Sequence, residues 1–182
     1  LLHDLSKYSW TEFSRGSRYF QGNRSPNNYE RELYGYSVSW LHHKGRNRHH
    51  FEYWLDYNEH QYGGVKGMRM PRRYVAEMYC DRVAACKIYQ KEAYTQQSAV
   101  RYFCKGGGKI LMHPETRKEI GFLLTMLGEK GEKETAKYNA IFIQKKIYFE
   151  NSEYLPESVL TQIKLYQLAL KRLYDNKQGE LL

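Results

Sequence analysis

Within ten residues, Leu41-His42-His43-Lys44-Gly45-Arg46-Asn47-Arg48-His49-His50 holds four of the chain's seven histidines and the cations Lys44, Arg46 and Arg48. Neutral imidazole is the commonest protein ligand for transition metals, and Lys and Arg are the side chains that hold phosphate oxygens. The segment therefore offers ligands for both a metal and an anion. A solvated basic turn would explain one histidine pair; two pairs around a glycine-containing turn point to a site, provided carboxylates elsewhere complete it. Two places supply them. Asp4 directly follows His3, and Lys7, three residues on, shares its side of a helical turn, where a metal and an anionic ligand can be held together. Glu77 and Asp81, four apart, share one face of a segment that is otherwise apolar nearly all round. Carboxylates inside a buried helix are costly unless a metal, a cation or a hydrogen bond pairs them. For Asp81 the competing explanation is an ion pair with Arg82 or another arginine, but Ala84 and Ala85 leave room for a ligand.

The elements that must carry these residues are helical by pattern. Residues 1–13 read as a helix or its end, and Ser14 to Asn28, rich in Gly, Ser and Asn, as a loop carrying Arg15, Arg18 and Arg24. Tyr29 to His43 repeats apolar residues at helical steps, with Gly45 as its cap, and a second short helix is expected to start at Asn47. Asp56 to Met70, with Gly63, Gly64 and Gly67, is expected to be a loop able to act as a flap. Pro71 suits the first position of a central helix to about Tyr89, and a short helix follows from Gln97 to Cys104. The triplet Gly106-Gly107-Gly108 lacks the frame of a phosphate-binding P-loop and reads as a hinge. His113-Pro114-Glu115 opens an amphipathic helix with Ile120, Leu123, Leu124 and Leu127 inward, ending near Gly128 or Gly131, and His113 belongs to its cap. Two helices follow: Glu132 to Phe149, where Lys145 and Lys146 suit the dipole, and Pro156 to about Tyr174, which packs back on the domain or pairs with a second copy. No strand is expected. The architecture is all-α, with one helical domain over residues 1–131 and a C-terminal helical extension over 132–182.

Length and charge narrow the function classes. The chain's 182 residues and 41% hydrophobic content suffice for one buried core but not two large domains. No apolar run reaches the roughly 18 residues of a membrane span, so no membrane partner is expected. The start carries no initiator Met or signal region, so the chain reads as clipped there and not secretory. Cys80, Cys86 and Cys104 are odd in number and lack zinc-finger spacing, which suits a reducing cytoplasm rather than a disulfide framework. A net charge of +9 favours anionic partners. Eighteen tyrosines would also suit stacking on single-stranded nucleic acid, but they are spread along helices at core-like spacing, so nucleic acid is the less favoured partner.

Taken in order, His-Asp, histidine, histidine, aspartate resembles the HD-domain metal-dependent phosphohydrolases, an all-helical superfamily named for its adjacent His-Asp pair. Leu2-His3-Asp4-Leu5-Ser6-Lys7 is similar to its LHDxxK signature, and Cys80-Asp81-Arg82-Val83-Ala84-Ala85 to its later helix with a ligand Asp. The middle histidines resemble the two-metal branch, and the LHHKGRNRHHFEYW stretch an uncharacterised bacterial branch. The resemblance covers about Leu1 to Leu127. It implies an HD-like bundle in which His3, Asp4, Asp81 and members of the pairs His42-His43 and His49-His50 hold one or two divalent ions of Mn, Fe, Co, Ni or Zn. Lys7, Arg46 and Arg48 would bind phosphate, and Glu77 would orient a ligand or bind metal. The superfamily places a further ligand His before its HD pair, and no residue here can fill that role: either the start is missing from this chain, which is the favoured expectation, or the site uses fewer ligands. The expected activity is hydrolysis of a phosphomonoester or phosphodiester, nucleotide-like in type, by metal-activated water. The alternatives are a non-catalytic module on the same fold that binds an anionic ligand or nucleic acid, and a di-iron oxygenase of HD type.

Overall fold

The computed structural model describes residues 3–58, 64–105 and 111–144. The expected glycine hinge at 106–108, Lys145, Lys146 and the helix from Pro156 lie outside them. Among the described residues six α-helices dominate: α1 (Trp10–Tyr19), α2 (Pro26–Tyr34), α3 (Val38–Lys44), α4 (Arg72–Gln90), α5 (Ser98–Lys105) and α6 (Pro114–Gln144). None is long and apolar enough to cross a membrane.

The first third departs from the sequence expectation in three places. Residues 14–19, expected as loop, continue α1. Ser9 caps that helix by accepting the Glu12 amide at 3.4 Å, and the start is strong enough to carry it through Gly16. Preceding it is not a continuous helix but a 3-10 turn, Leu5–Tyr8, ended by the extended backbone of Ser9. The single helix expected over 29–43 is two. Gly35, at φ 79°, adopts the left-handed conformation that closes α2, its N–H bonding Arg31 O at 2.8 Å. Ser37 then restarts the chain, accepting the Trp40 amide at 3.0 Å. After Asn47 there is no α-helix, only a 3-10 turn over Phe51–Trp54, because the Asn47 side chain bonds Ser6 and the His43 carbonyl instead of capping a helix.

The expected loop and flap after Asp56 contains strand structure. β1 (Leu55–Asn58) and β2 (Gly64–Gly67) form an antiparallel hairpin with Leu55 opposite Gly67. Gly67 is needed there: a Cβ at this position would lie 2.5 Å from the backbone nitrogen of His113.

The core lies between α4 and α6. Val75 and Met78 of α4 meet Ile120, Leu123, Leu124 and Leu127 of α6, all fully buried, with Ala99 and Phe103 of α5 against them. α4 is less enclosed than its composition implies, since Cys80 and Ile88 face solvent. His113 sits at the α6 cap, where its Nδ1 accepts the Glu115 amide at 3.2 Å. Gly131, at φ 81° and ψ 173°, interrupts α6, as a helix end near this position predicts. Beyond it Thr135 is still buried and Tyr138 still packs on the core, and this compact unit ends at Ile143.

Candidate metal centre

Three short elements and the long helix α4 bring the chemistry-bearing residues together. The turn before α1 supplies His3 and Asp4, and Asp4 holds a left-handed backbone (φ 57°, ψ 28°), unusual for a residue other than glycine and common at sites where a side chain must be aimed. The last turn of α3 supplies His43. The turn after Asn47 supplies His49 and His50, and one face of α4 supplies Glu77 and Asp81.

These side chains converge in two overlapping sets. Asp4, His43, His49 and His50 each direct one ligand atom into a space where all lie within 4.8 Å of one another, as do His3, Asp4, His49 and Asp81. Asp4 and His49 belong to both. The Asp4 carboxylate divides between them: Oδ1 lies 3.3 Å from His43 Nε2 and 3.4 Å from His49 Nε2, while Oδ2 lies 3.2 Å from His3 Nε2. Asp81 Oδ1 is 3.7 Å from His3 Nε2.

Two carboxylates behind the cluster set the direction of its imidazoles. Glu12 is buried, and its two oxygens lie 2.8 Å from His43 Nδ1 and 2.7 Å from His42 Nδ1. The Asn47 side-chain amide also lies 3.1 Å from His43 Nδ1, but it is a donor. Ser6 Oγ lies 3.2 Å from the same nitrogen, but the nearer, acceptor-only partner for a protonated Nδ1 is the Glu12 carboxylate, which leaves the Nε2 lone pair facing Asp4. Glu77 plays the same part on the other side, with Oε1 at 2.9 Å from His3 Nδ1 and 3.2 Å from His49 Nδ1. A carboxylate behind a ligating imidazole fixes its tautomer and raises its basicity. Trp40 packs on two rings, stacked on His43 at 5.6 Å between centroids and edge-on to His50 at 4.7 Å.

The electrostatics suit a cation. Burial pushes the Asp4 carboxyl up, but Lys7, His43 and His3 outweigh it and hold the group below its ordinary value. Burial also pushes His49 down, and, reinforced by His49 and His43, pushes His50 down to about 2, so that both stay neutral with a lone pair free. Asp4 Oδ1, His49 Nε2 and His50 Nε2 are enclosed without a hydrogen bond, while Asp4 Oδ2 is met by the Lys7 ammonium. A buried carboxylate oxygen and imidazole nitrogens left in this state are expensive, and a divalent ion would satisfy all three atoms. The residues therefore fit a metal.

A cavity of about 1110 Å³ opens beside the cluster, lined among others by Lys7, His43, His50, Asp81 and Arg82. Of the residues singled out by sequence, His3, Asp4, His43, His49, His50 and Asp81 meet at the cluster, with Glu77 behind it and Lys7 ion-paired to Asp4. Three lie apart. His42 is turned to Glu12 and belongs to neither set. Arg46 is exposed and bonds the carbonyl of His42 at 3.3 Å, and Arg48 is exposed and bonds Tyr74 Oη at 3.2 Å, neither lining the cavity. No ion pair joins Asp81 to Arg82 among the described residues. Sequence reasoning passed over Glu12, for which there was a signal: Ser9-Trp10-Thr11-Glu12 is a capping-box pattern, which accounts for a Glu at that position without any site. It passed over Arg82 as a cavity residue with no signal to find it.

The sequence model of a family of unknown function (DUF5662) matches residues 1–126, and the chain belongs to that family. No curated protein and no solved structure matches the chain.

Proposed function

We propose that this DUF5662 protein is a metal-dependent phosphohydrolase of HD type that cleaves a phosphomonoester or phosphodiester, nucleotide-like in size. The observation that carries the reading is the convergence of His3, Asp4, His43, His49, His50 and Asp81, several of whose polar atoms are buried without hydrogen bonds, beside a cavity that His43, His50 and Asp81 line. Mixed imidazole and carboxylate donors suit Mn, Fe, Co, Ni or Zn. Asp4, through Oδ1 and Oδ2 that face different imidazoles, and His49, through Nε2, would be among the residues holding the ion or ions. A bound divalent ion supplies Lewis-acid polarisation of a phosphoryl oxygen and a lower pKa for water.

The chain's own residues do the rest. Glu12 and Glu77 hold the imidazoles in the tautomer that leaves Nε2 open. Lys7 brings a positive charge to the cavity beside Asp4, where it balances a phosphoryl dianion; burial pulls its ammonium down, but the Asp4 hydrogen bond and charge keep it above its ordinary value and protonated. His50, neutral and enclosed, is a ligand rather than a proton carrier. The cavity, at about 1110 Å³, is slightly larger than the roughly 300–1,000 Å³ of most small-molecule sites and accommodates a nucleotide-sized ester.

The test is elemental analysis of purified protein after reconstitution, followed by phosphate release from a panel of phosphomonoesters and phosphodiesters with and without chelator. One or two ions per chain are expected, with turnover abolished by chelator and by His49→Ala. Protein that retains no stoichiometric metal refutes the reading. Iron with substrate-dependent oxygen consumption and no phosphate release would replace it with the oxygenase.

A further inference from the structure

Arg82 has no use in the chemistry described so far, yet it stands in the wall of the same cavity. Its Nε is enclosed without a hydrogen-bond partner, and its guanidinium lies over the Phe103 ring at 5.6 Å from the centroid. Other cations along the wall are engaged: Lys7 pairs with Asp4, Arg24 forks onto Glu32, and Arg31 bonds Asn28 at 3.1 Å while lying over Trp40. Lys105 is exposed at the end of α5. The carboxylates nearby do not answer Arg82. No ion pair within 4.0 Å joins it to Asp81 or to Glu52 among the described residues, and burial pushes the Glu52 acid up, towards its neutral form.

A guanidinium keeps its proton at any physiological pH and presents donors in a planar fork. Left in the cavity wall with an aromatic face as its partner, its Nε is unsatisfied, and the fork of Nε and Nη matches a carboxylate or phosphate oxygen pair. The reacting phosphoryl group, on the hydrolase reading, is already provided for by the ion cluster and Lys7. We propose that the substrate is a phosphoester whose leaving group carries a second anionic group, and that Arg82 is the specificity residue that binds it. This deepens the proposed function and rests on it for the location of the reacting group.

The experiment uses the full chain loaded with Mn²⁺ and two matched series of probes: ω-carboxyalkyl phosphates of increasing chain length, and their neutral methyl esters. Phosphate release gives kcat/KM for each compound, and quenching of tryptophan fluorescence, to which cavity-lining Trp40 contributes, gives binding directly. At one chain length the carboxylate is expected to exceed its ester about tenfold or more, the scale of a charge-assisted hydrogen bond. In Arg82→Met that ratio falls to near one; in Arg82→Lys, which keeps the charge without the fork, it is intermediate. The proposal is overturned if no chain length favours the carboxylate, or if the ratio survives Arg82→Met, as it would were Arg82 serving the reacting phosphoryl group. The comparison within the parent protein needs no variant, so misfolding of Arg82→Met does not remove the test. If neither series is turned over, the hydrolase reading fails separately, and the carboxylate preference is still read from the quenching.

Discussion

Replacing Glu12 by Gln changes one atom of a buried side chain and tests the logic of the centre. Glu12 accepts from His43 Nδ1 at 2.8 Å and from His42 Nδ1 at 2.7 Å, one bond on each carboxylate oxygen. An amide keeps one acceptor and turns the other face into a donor, so one imidazole meets an N–H with its own N–H. That imidazole must rotate or take the other tautomer, and if it is His43 its Nε2 carries a proton and no longer ligates. Loss of such a supporting carboxylate costs about 10–100-fold in metal affinity, or about 1.4–2.7 kcal/mol. Because Gln can still satisfy one ring, Glu12→Gln should fall near the low end and Glu12→Ala near the high end. Burial pushes the Glu12 carboxyl up, but bonds from His42, Ser6 and His43 outweigh it and hold the group below 4.5. Its contribution is therefore complete above the unfolded value and lost only as pH falls through the folded one, so Glu12 stays ionised across the neutral range in which the parent and variants are compared. The assay is competition for Mn²⁺ or Zn²⁺ against a chromophoric chelator, with thermal melting of the metal-free proteins alongside. If both variants fold and bind metal within about twofold of the parent, against the tenfold expected at least, the account of how the imidazoles are held is wrong.

Three further outcomes are expected. Glu30, 1% exposed, bonds Arg15 at 2.7 Å, Ser37 at 2.6 Å and Ser39 at 2.9 Å, so Glu30→Ala should cost about 2–4 kcal/mol in urea unfolding at neutral pH. Burial pushes that carboxyl up but its hydrogen bonds bring it below 4.5, so the cost should be full above that pH and shrink as pH falls through the folded value. Gly67→Ala drives a methyl into the backbone of residues 111–113 and should lower stability by about 2 kcal/mol or more, measured by thermal unfolding; an unchanged melting temperature would mean that the hairpin does not pack there. Mn²⁺ at about 100 times its Kd should stabilise the fold by about 2.7 kcal/mol, and that gain should vanish in Asp4→Asn and on addition of chelator.

Much of the frame was legible in the residues alone. The three- and four-residue spacing of Ile120, Leu123, Leu124 and Leu127 placed the core face of α6, Pro71 marked the start of α4, and the i, i+4 spacing of Glu77 and Asp81 put both carboxylates on one face, because helical periodicity is a local property. The histidine-rich turn and the His-Asp pair could be recognised as metal chemistry from residue types. Local signals were also present but weighed wrongly at Gly35 and Ser37, where a cap and a restart break the helix expected over 29–43.

Which atoms meet was decided by tertiary structure. His42 and His43 are neighbours on one turn, and only the docking of α1 against α3, which puts Glu12 between them, makes His43 a member of the cluster and His42 a bystander. The same packing enlists both His49 and His50, turns Arg46 and Arg48 outward, and leaves Arg82 in the cavity wall without a carboxylate. The contacts that assemble the cluster join residues about 30 to 80 positions apart, where spacing carries no information, and their geometry depends on helix docking and on which neighbour each side chain finds to satisfy it.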